Sequence, residues 1–459
     1  MPHLLRLSGW LLAMLALSCM TARPVMAQEI LRDAETEAVL RDAVRPLVIA
    51  AGLDPRNVDI AIVHDPEINA FVAGGQTVFI NSGLITAADN INQVQGVIAH
   101  ELGHMAGGHV IRFEEGAKNA YAVMLLGLLL GVAAAAAGGS DSGEAAAGIL
   151  GASQRAAEGK LLAYSREQEA TADAAGVKFL DKAHISGRGS LEFFKKLDSL
   201  EHRHSYSHSE AASFAQNHPL TPDRIRFLED SYPRSSAWNA KTDPALEARF
   251  QRVKAKLSGY VDPPAQVMLE YPETMQGQPA HYARAYAWHR AAYPDKAMEE
   301  VNALLATAPH DPYFLELKGQ ILLESGHAKD AVAPLREATT LTENQPLIAA
   351  TFGQALIETG DRTNYPEALR ILHAAVDKDR DNPLAWYGMG EIYDRMGDVP
   401  HAALCSAESA DLEHDFRMAE QQANVAYRGL PTGSPDSLRA QDILLSAKAE
   451  LAKKKKGRH

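Results

Sequence analysis

The residues best suited to chemistry lie in one string, VIAHELGHMAGGH, residues 97–109. Four residues is a little over one helical turn, so on a helix the rings of His100 and His104 leave one side, about 40° apart. Two imidazoles placed in this way can hold a divalent metal such as zinc. Glu101, between them in sequence, can take a proton from a water that the metal activates. Val94, Ile98, Leu102 and Met105 form a separate apolar stripe, which lets one side of the helix pack while the histidines face a cleft. A hydrolytic zinc centre keeps three protein ligands and leaves one position for water, so a third ligand must come from elsewhere. Position 110, ten residues after the first histidine, is Val110. His109 on a continued helix would point about 140° away from His104, and it reads as a surface or core histidine.

A second string, YSREQEATADAAG, residues 164–176, supplies carboxylates: Glu167, Glu169 and Asp173. Together the two strings resemble peptidase family M48, in which a His-Glu-x-x-His helix is followed by Glu-x-x-x-Asp on a later helix. The resemblance implies one zinc ion per chain held by His100, His104 and Glu169. It makes Glu101 the general base and Asp173 the carboxylate that orients a ligand imidazole. A shifted alignment would exchange Glu167 and Glu169. Asn217-His218-Pro219 with Arg224 resembles the family's His-Pro-x-x-x-x-Arg segment, which implies that His218 lies near the metal. There it would steady the oxyanion or ligate the zinc and block it, and a purely structural His218 is the remaining alternative. Asn69-Ala70-Phe71 and the run Val78 to Leu84 resemble the family's cleft-lining edge strand, where substrate backbone can add. His202, His204 and His208 read as part of an exposed polar loop.

The elements that must position these residues are legible from periodicity. Glu29 to about Ala51 has helical spacing, with Pro46 at a kink or an end. Two or three short strands follow, over Val58 to Val63 and Thr77 to Ile80, and Asp89 or Asn90 then caps the histidine helix. Residues 120–138 are uncharged and apolar, and they read as a core element or loop with possible contact to a membrane surface or client. The Gly, Ala and Ser of 138–151 predict a flexible link, and helical pattern resumes from Ala156 to Leu180. Pro244, Pro263, Pro264, Pro272 and Pro279 suggest a linker over 241–275.

Beyond it a repeat emerges. Gly319, Gly353 and Gly390 are each followed by a second glycine, Gly326, Gly360 and Gly397, and then by Ala331, Ala368 and Ala402. Pro312 and Pro346 keep the same step, and the pattern resembles tetratricopeptide repeats, about four of them, from a degenerate unit at Ala285 and Ala297 to near His414. The expected fold is mainly α: an α+β zincin-like domain with a small sheet over 28–240, then an α-helical solenoid over 276–450 and a basic tail over 451–459.

The first 27 residues have a basic start, an apolar stretch and Val25-Met26-Ala27, which read as a cleavable export signal. With Cys19 removed, Cys405 would be the one remaining cysteine, leaving neither a disulfide nor a cysteine metal site. A net charge of −13 argues against nucleic acid as the partner. Export signal, M48 strings and repeats together are similar to a branch of the family that implies a periplasmic enzyme acting on unfolded or misassembled outer-membrane proteins. The repeats would then dock on the β-barrel assembly machinery. A chaperone or assembly factor whose zinc site is held shut is the other expectation.

Overall fold

The computed structural model describes residues 29–109, 124–126, 128–130, 142–203 and 218–456. The expected signal segment, most of 120–138, Asn217, His204, His208 and the last three residues lie outside them. In the first part, a short strand β1 (Ile30–Leu31) precedes helix α1 (Ala34–Ala50), and strands β2 (Asp59–Val63), β3 (Ala70–Ala73) and β4 (Thr77–Asn81) follow. The sheet order is β1-β2-β4-β3, with β2 and β4 parallel and the outer pairings antiparallel. β3 is therefore an edge strand, as the Asn69 to Phe71 resemblance leads one to expect, whereas Val78 to Asn81 of the same resemblance lies in β4, which is paired on both sides and is not an edge. β1 lies inside the segment read as helix; its two residues are too few for a period to register, and Asp33 caps α1 just after it.

Helices α2 (Ser82–Ala87), α3 (Ile91–Gly107), α4 (Ser142–Lys182), α5 (Arg188–Arg203) and α6 (Pro222–Ser231) follow among the described residues. Asn90 caps α3 through its side chain, which accepts from Gln93 N at 3.1 Å. Val94, Ile98 and Leu102 are fully buried, against Val39, Leu40 and Ile80 among others in one core. α4 starts inside the stretch expected to be a flexible link. Alanine has the highest helix propensity, and a run such as Glu144-Ala145-Ala146-Ala147 carries the helix across the interspersed glycines.

Where a linker is expected over 241–275, the structure has two helices, α7 (Pro244–Val261) and α8 (Pro264–Glu270). Both prolines stand in the first turn, where the missing N–H is not needed, so they start helices rather than break them. Phe250 and Val253 of α7 are fully buried in the core of the first part. Five antiparallel helix pairs follow: α9 (Gln278–Arg290) and α10 (Pro294–Thr307), α11 (Pro312–Glu324) and α12 (Ala328–Leu341), α13 (Pro346–Glu358) and α14 (Tyr365–Lys378), α15 (Pro383–Met396) and α16 (Val399–Leu412), α17 (Phe416–Gly429) and α18 (Pro435–Lys456). Gly326, Gly360 and Gly397 take φ near +80° in the turns within three of these pairs, a conformation that favours glycine. Gly319 and Gly353 let Leu335 and Leu372 pack directly on the helix backbone. The fold is thus mainly α, a small sheet with its helices followed by a helical solenoid.

The two parts meet over the start of α1. Glu35, almost fully buried, accepts from Arg252 Nε at 2.6 Å and from the Tyr282 hydroxyl at 2.7 Å. Arg252 also pairs with Asp311 at 2.7 Å, and Arg32 with Asp379 at 2.8 Å. Beside this junction lies a cavity of about 380 Å³, whose walls include Asp33, Lys256, Tyr286, Glu316 and Asn382. No helix among the described residues is long and apolar enough to cross a membrane. Cys405 is buried and unpaired.

Candidate metal centre

The two strings are brought together by the close packing of α3 and α4. At Gly103 a Cβ would lie 2.7 Å from the Ala172 carbonyl oxygen and 2.9 Å from its Cα. The absence of that Cβ lets the helices approach, which puts Glu169 against both α3 histidines and Asp173 beside His100. His100 Nε2 and His104 Nε2 stand 3.1 Å apart, and Glu169 reaches them at 3.3 and 3.4 Å. His218 Nδ1 lies 3.1 Å from Glu169 Oε1 and 3.4 Å from His100 Nε2.

These separations test whether the residues suit a metal. Ligands about 2.0 Å from a tetrahedral zinc stand about 3.3 Å from one another, and the five distances just given run from 3.1 to 3.4 Å. All four side chains are buried, and they are the described group of histidine, cysteine and acidic residues that could hold an ion. Lone pairs of two imidazoles and a carboxylate converging at such range repel unless a cation lies between them. The donor set, two or three nitrogens and one carboxylate oxygen, suits zinc.

Charged groups hold the ligands in place. His100 Nδ1 is 2.9 Å from Asp173 Oδ1, so its other nitrogen is the one that faces the centre. Burial would depress the His100 pKa, but Asp173 and Glu169 outweigh it and lift it to about 9. Burial of His104 is the larger effect and lowers its pKa. Burial acts to raise the Glu169 carboxyl, yet contacts with His100, His104 and His218 hold it well below the usual range. Asp173 is held low in the same sense, by Arg224 and His100. Glu101 is buried, with Oε1 lacking a hydrogen-bond partner and lying 3.5 Å from His218 Nε2.

Arg224 is the residue whose importance the sequence conveyed least. It donates from Nε and Nη2 to the two oxygens of Asp173 at 2.7 and 2.8 Å, and Nη1 lies 2.8 Å from Glu169 Oε2. The same Nη1 donates to the Pro219 carbonyl at 3.0 Å. A bidentate guanidinium thus clamps the loop bearing His218 to the helix bearing Glu169, which explains the spacing of His-Pro-x-x-x-x-Arg. Glu167 lies in α4 outside the cluster and is exposed. His109 is not on α3 at all. The helix ends at Gly107, Gly108 takes φ +64°, and His109 folds back onto His104. His202 lies at the end of α5.

Residues 34–231 match the model of peptidase family M48 and are an M48 domain, so the chain carries a domain of a metallopeptidase family. The chain is 25% identical over 332 residues to the beta-barrel assembly-enhancing protease of Escherichia coli (strain K12), covering 71% of this chain and 65% of that protein. The protein of the same name from Yersinia pestis is 23% identical over 390 residues, 82% of this chain and 76% of its own. Metalloprotease LoiP of Escherichia coli is 32% identical over 179 residues, 38% of this chain and 62% of its own. The chain therefore spans a little under two thirds of the length of the first of these relatives.

Proposed function

We propose that the chain is an exported zinc endopeptidase that cleaves unfolded or misassembled outer-membrane proteins in the periplasm, its repeats docking on the β-barrel assembly machinery. The observation that carries the peptidase reading is the buried His100, His104, Glu169 and His218 cluster, spaced as the corners of a zinc tetrahedron. The names of the relatives support the setting and the clients. The export signal at residues 1–27 and the contact of 120–138 with a membrane surface belong to the same proposal.

His100, His104 and Glu169 would hold the zinc. When bound, the ion supplies a positive charge that acidifies a water and polarises the scissile carbonyl. Glu101 takes the proton of the attacking water at a carboxylate oxygen and returns it to the leaving amine. Asp173 keeps His100 turned with Nε2 inward, and Arg224 keeps Asp173 and Glu169 in place. A substrate segment in extended form adds along β3, which delivers its backbone across the cleft.

His218 Nδ1, 3.1 Å from Glu169 and 3.4 Å from His100, stands where water must enter. This observation favours a second state of the same protein, in which His218 fills the fourth place and the repeat groove works as an assembly factor while the peptidase is shut. Casein cleavage by the zinc-loaded chain separates the readings. Glu101→Gln is expected to lose about 10³-fold or more in kcat, and His218→Ala to cleave faster than the unmodified protein. Zinc-loaded protein that cleaves nothing in either form would leave the assembly factor alone.

A further inference from the structure

His104 presents Nε2 to the cluster, so its hydrogen must sit on Nδ1, and that nitrogen lies 2.9 Å from Nδ1 of His109. His109 in turn has Nε2 3.2 Å from the Thr171 hydroxyl oxygen. Thr171 donates its own hydrogen to the Gln168 carbonyl at 2.9 Å. A carbonyl can only accept, so the direction of the whole series is fixed from its far end. With its hydrogen committed to Gln168, the Thr171 oxygen accepts from His109 Nε2–H. His109 Nδ1 is then the lone-pair nitrogen and accepts from His104 Nδ1–H. His104 Nε2 is left with the lone pair that a metal requires.

The chain is built to make this contact. Gly108, at φ +64°, reverses the backbone after α3. Gly107 has no Cβ, and one there would lie 2.5 Å from His109 Nε2. His109 is buried, 8% exposed, with its ring edge-on to His104 at 4.9 Å between centroids. Thr171 lies on α4 between Glu169 and Asp173, so the series ties the end of the histidine helix to the helix that brings the carboxylate.

We propose that His109 is a positioning residue for the metal centre: it accepts the Nδ1 hydrogen of His104 and so fixes the tautomer and ring plane of that ligand. The proposal rests on His104 being a metal ligand. It also makes the two α3 ligands unlike. Asp173 backs His100 with a carboxylate, whereas a neutral imidazole, a hydroxyl and a carbonyl back His104, which is the less basic ligand of the two.

Equilibrium zinc affinity of the full chain, measured by chelator competition, tests this. His109→Ala is expected to weaken zinc about 10- to 100-fold. His109→Asn, whose Oδ1 occupies the place of Nδ1 and can accept the same hydrogen, should recover most of that loss. Thr171→Val should weaken zinc in the same direction by less. Melting of the metal-free chain, followed in parallel, separates a folding defect from a ligand defect, and the visible bands of the cobalt-substituted chain should change in His109→Ala and return in His109→Asn. Equal affinity in the unmodified and His109→Ala chains, or an Asn variant no better than Ala, overturns the role of His109 while leaving the zinc centre intact. No zinc binding by the unmodified chain overturns both.

Discussion

Asp173 does two things at once, receiving the guanidinium of Arg224 on both oxygens and standing 2.9 Å from His100 Nδ1. Replacing it with asparagine keeps the shape, halves the acceptor set facing Arg224 and removes the charge. Zinc affinity of Asp173→Asn should fall about 10- to 100-fold, with the metal-free chain still folded by circular dichroism. At this scale the sequence was most informative where chemistry is local. His100, Glu101 and His104 share one helix, and their spacing alone brings them to one side. Glu169 and Asp173 could be named from a pattern. The work of Arg224 could not, because it depends on where a loop some 50 residues along the chain returns, and the contact of His109 with His104 could not, because it depends on the reversal of the chain at Gly108.

Between elements, the decisive contact is Gly103 against Ala172. A methyl at position 103 would collide with backbone, which no rotamer change relieves, so α3 and α4 would have to part. Gly103→Ala should therefore cost about 1–3 kcal/mol in chemical denaturation and also weaken zinc. Gly319→Ala, where the added Cβ would first meet the Leu335 side chain at 2.3 Å, should lower stability without touching the metal. Helices α1, α3 and most of α4 are readable from periodicity, and the repeat from its glycine register. Among the elements that escaped are two-residue β1, helices α2, α5 and α6, the alanine-rich opening of α4, and the last pair, α17 and α18, whose turn is set by Gly433 outside the glycine register. Prolines misled in the other direction at α7 and α8, since a proline in a first turn and a proline in a linker look alike in sequence.

The whole molecule turns on the junction around Glu35. Removing Arg252 leaves a buried carboxylate without its main countercharge, so Arg252→Ala should cost about 3–5 kcal/mol and split a single thermal transition into two. Glu316, on the wall of the neighbouring cavity, titrates there under stress. Burial lifts its carboxyl to about 7 from an ordinary 4.5; Lys256 pulls the other way, and Asp33 and Glu35 push with it. Its folded pKa lies above its unfolded one, so the stability it contributes is complete below about 4.5 and is lost as pH climbs through 7. Glu316→Gln should raise the melting temperature at pH 8, by about 1–3 kcal/mol in stability, and leave it unchanged near pH 4.5.

The same junction sets the order in which the molecule can be completed. Helix α1 emerges early in synthesis, yet Glu35 meets Tyr282 only across a separation of 247 residues. Arg252, its countercharge, comes after 217 residues, and until then the first helix has no permanent seat for its charge. Contacts so distant in sequence make folding slow, and a nascent chain released before the first repeats would expose the face of α1 and α7 that they cover. The seat of α1 is therefore completed by the part of the chain that follows it, with Tyr282 of the first helix pair closing over Glu35.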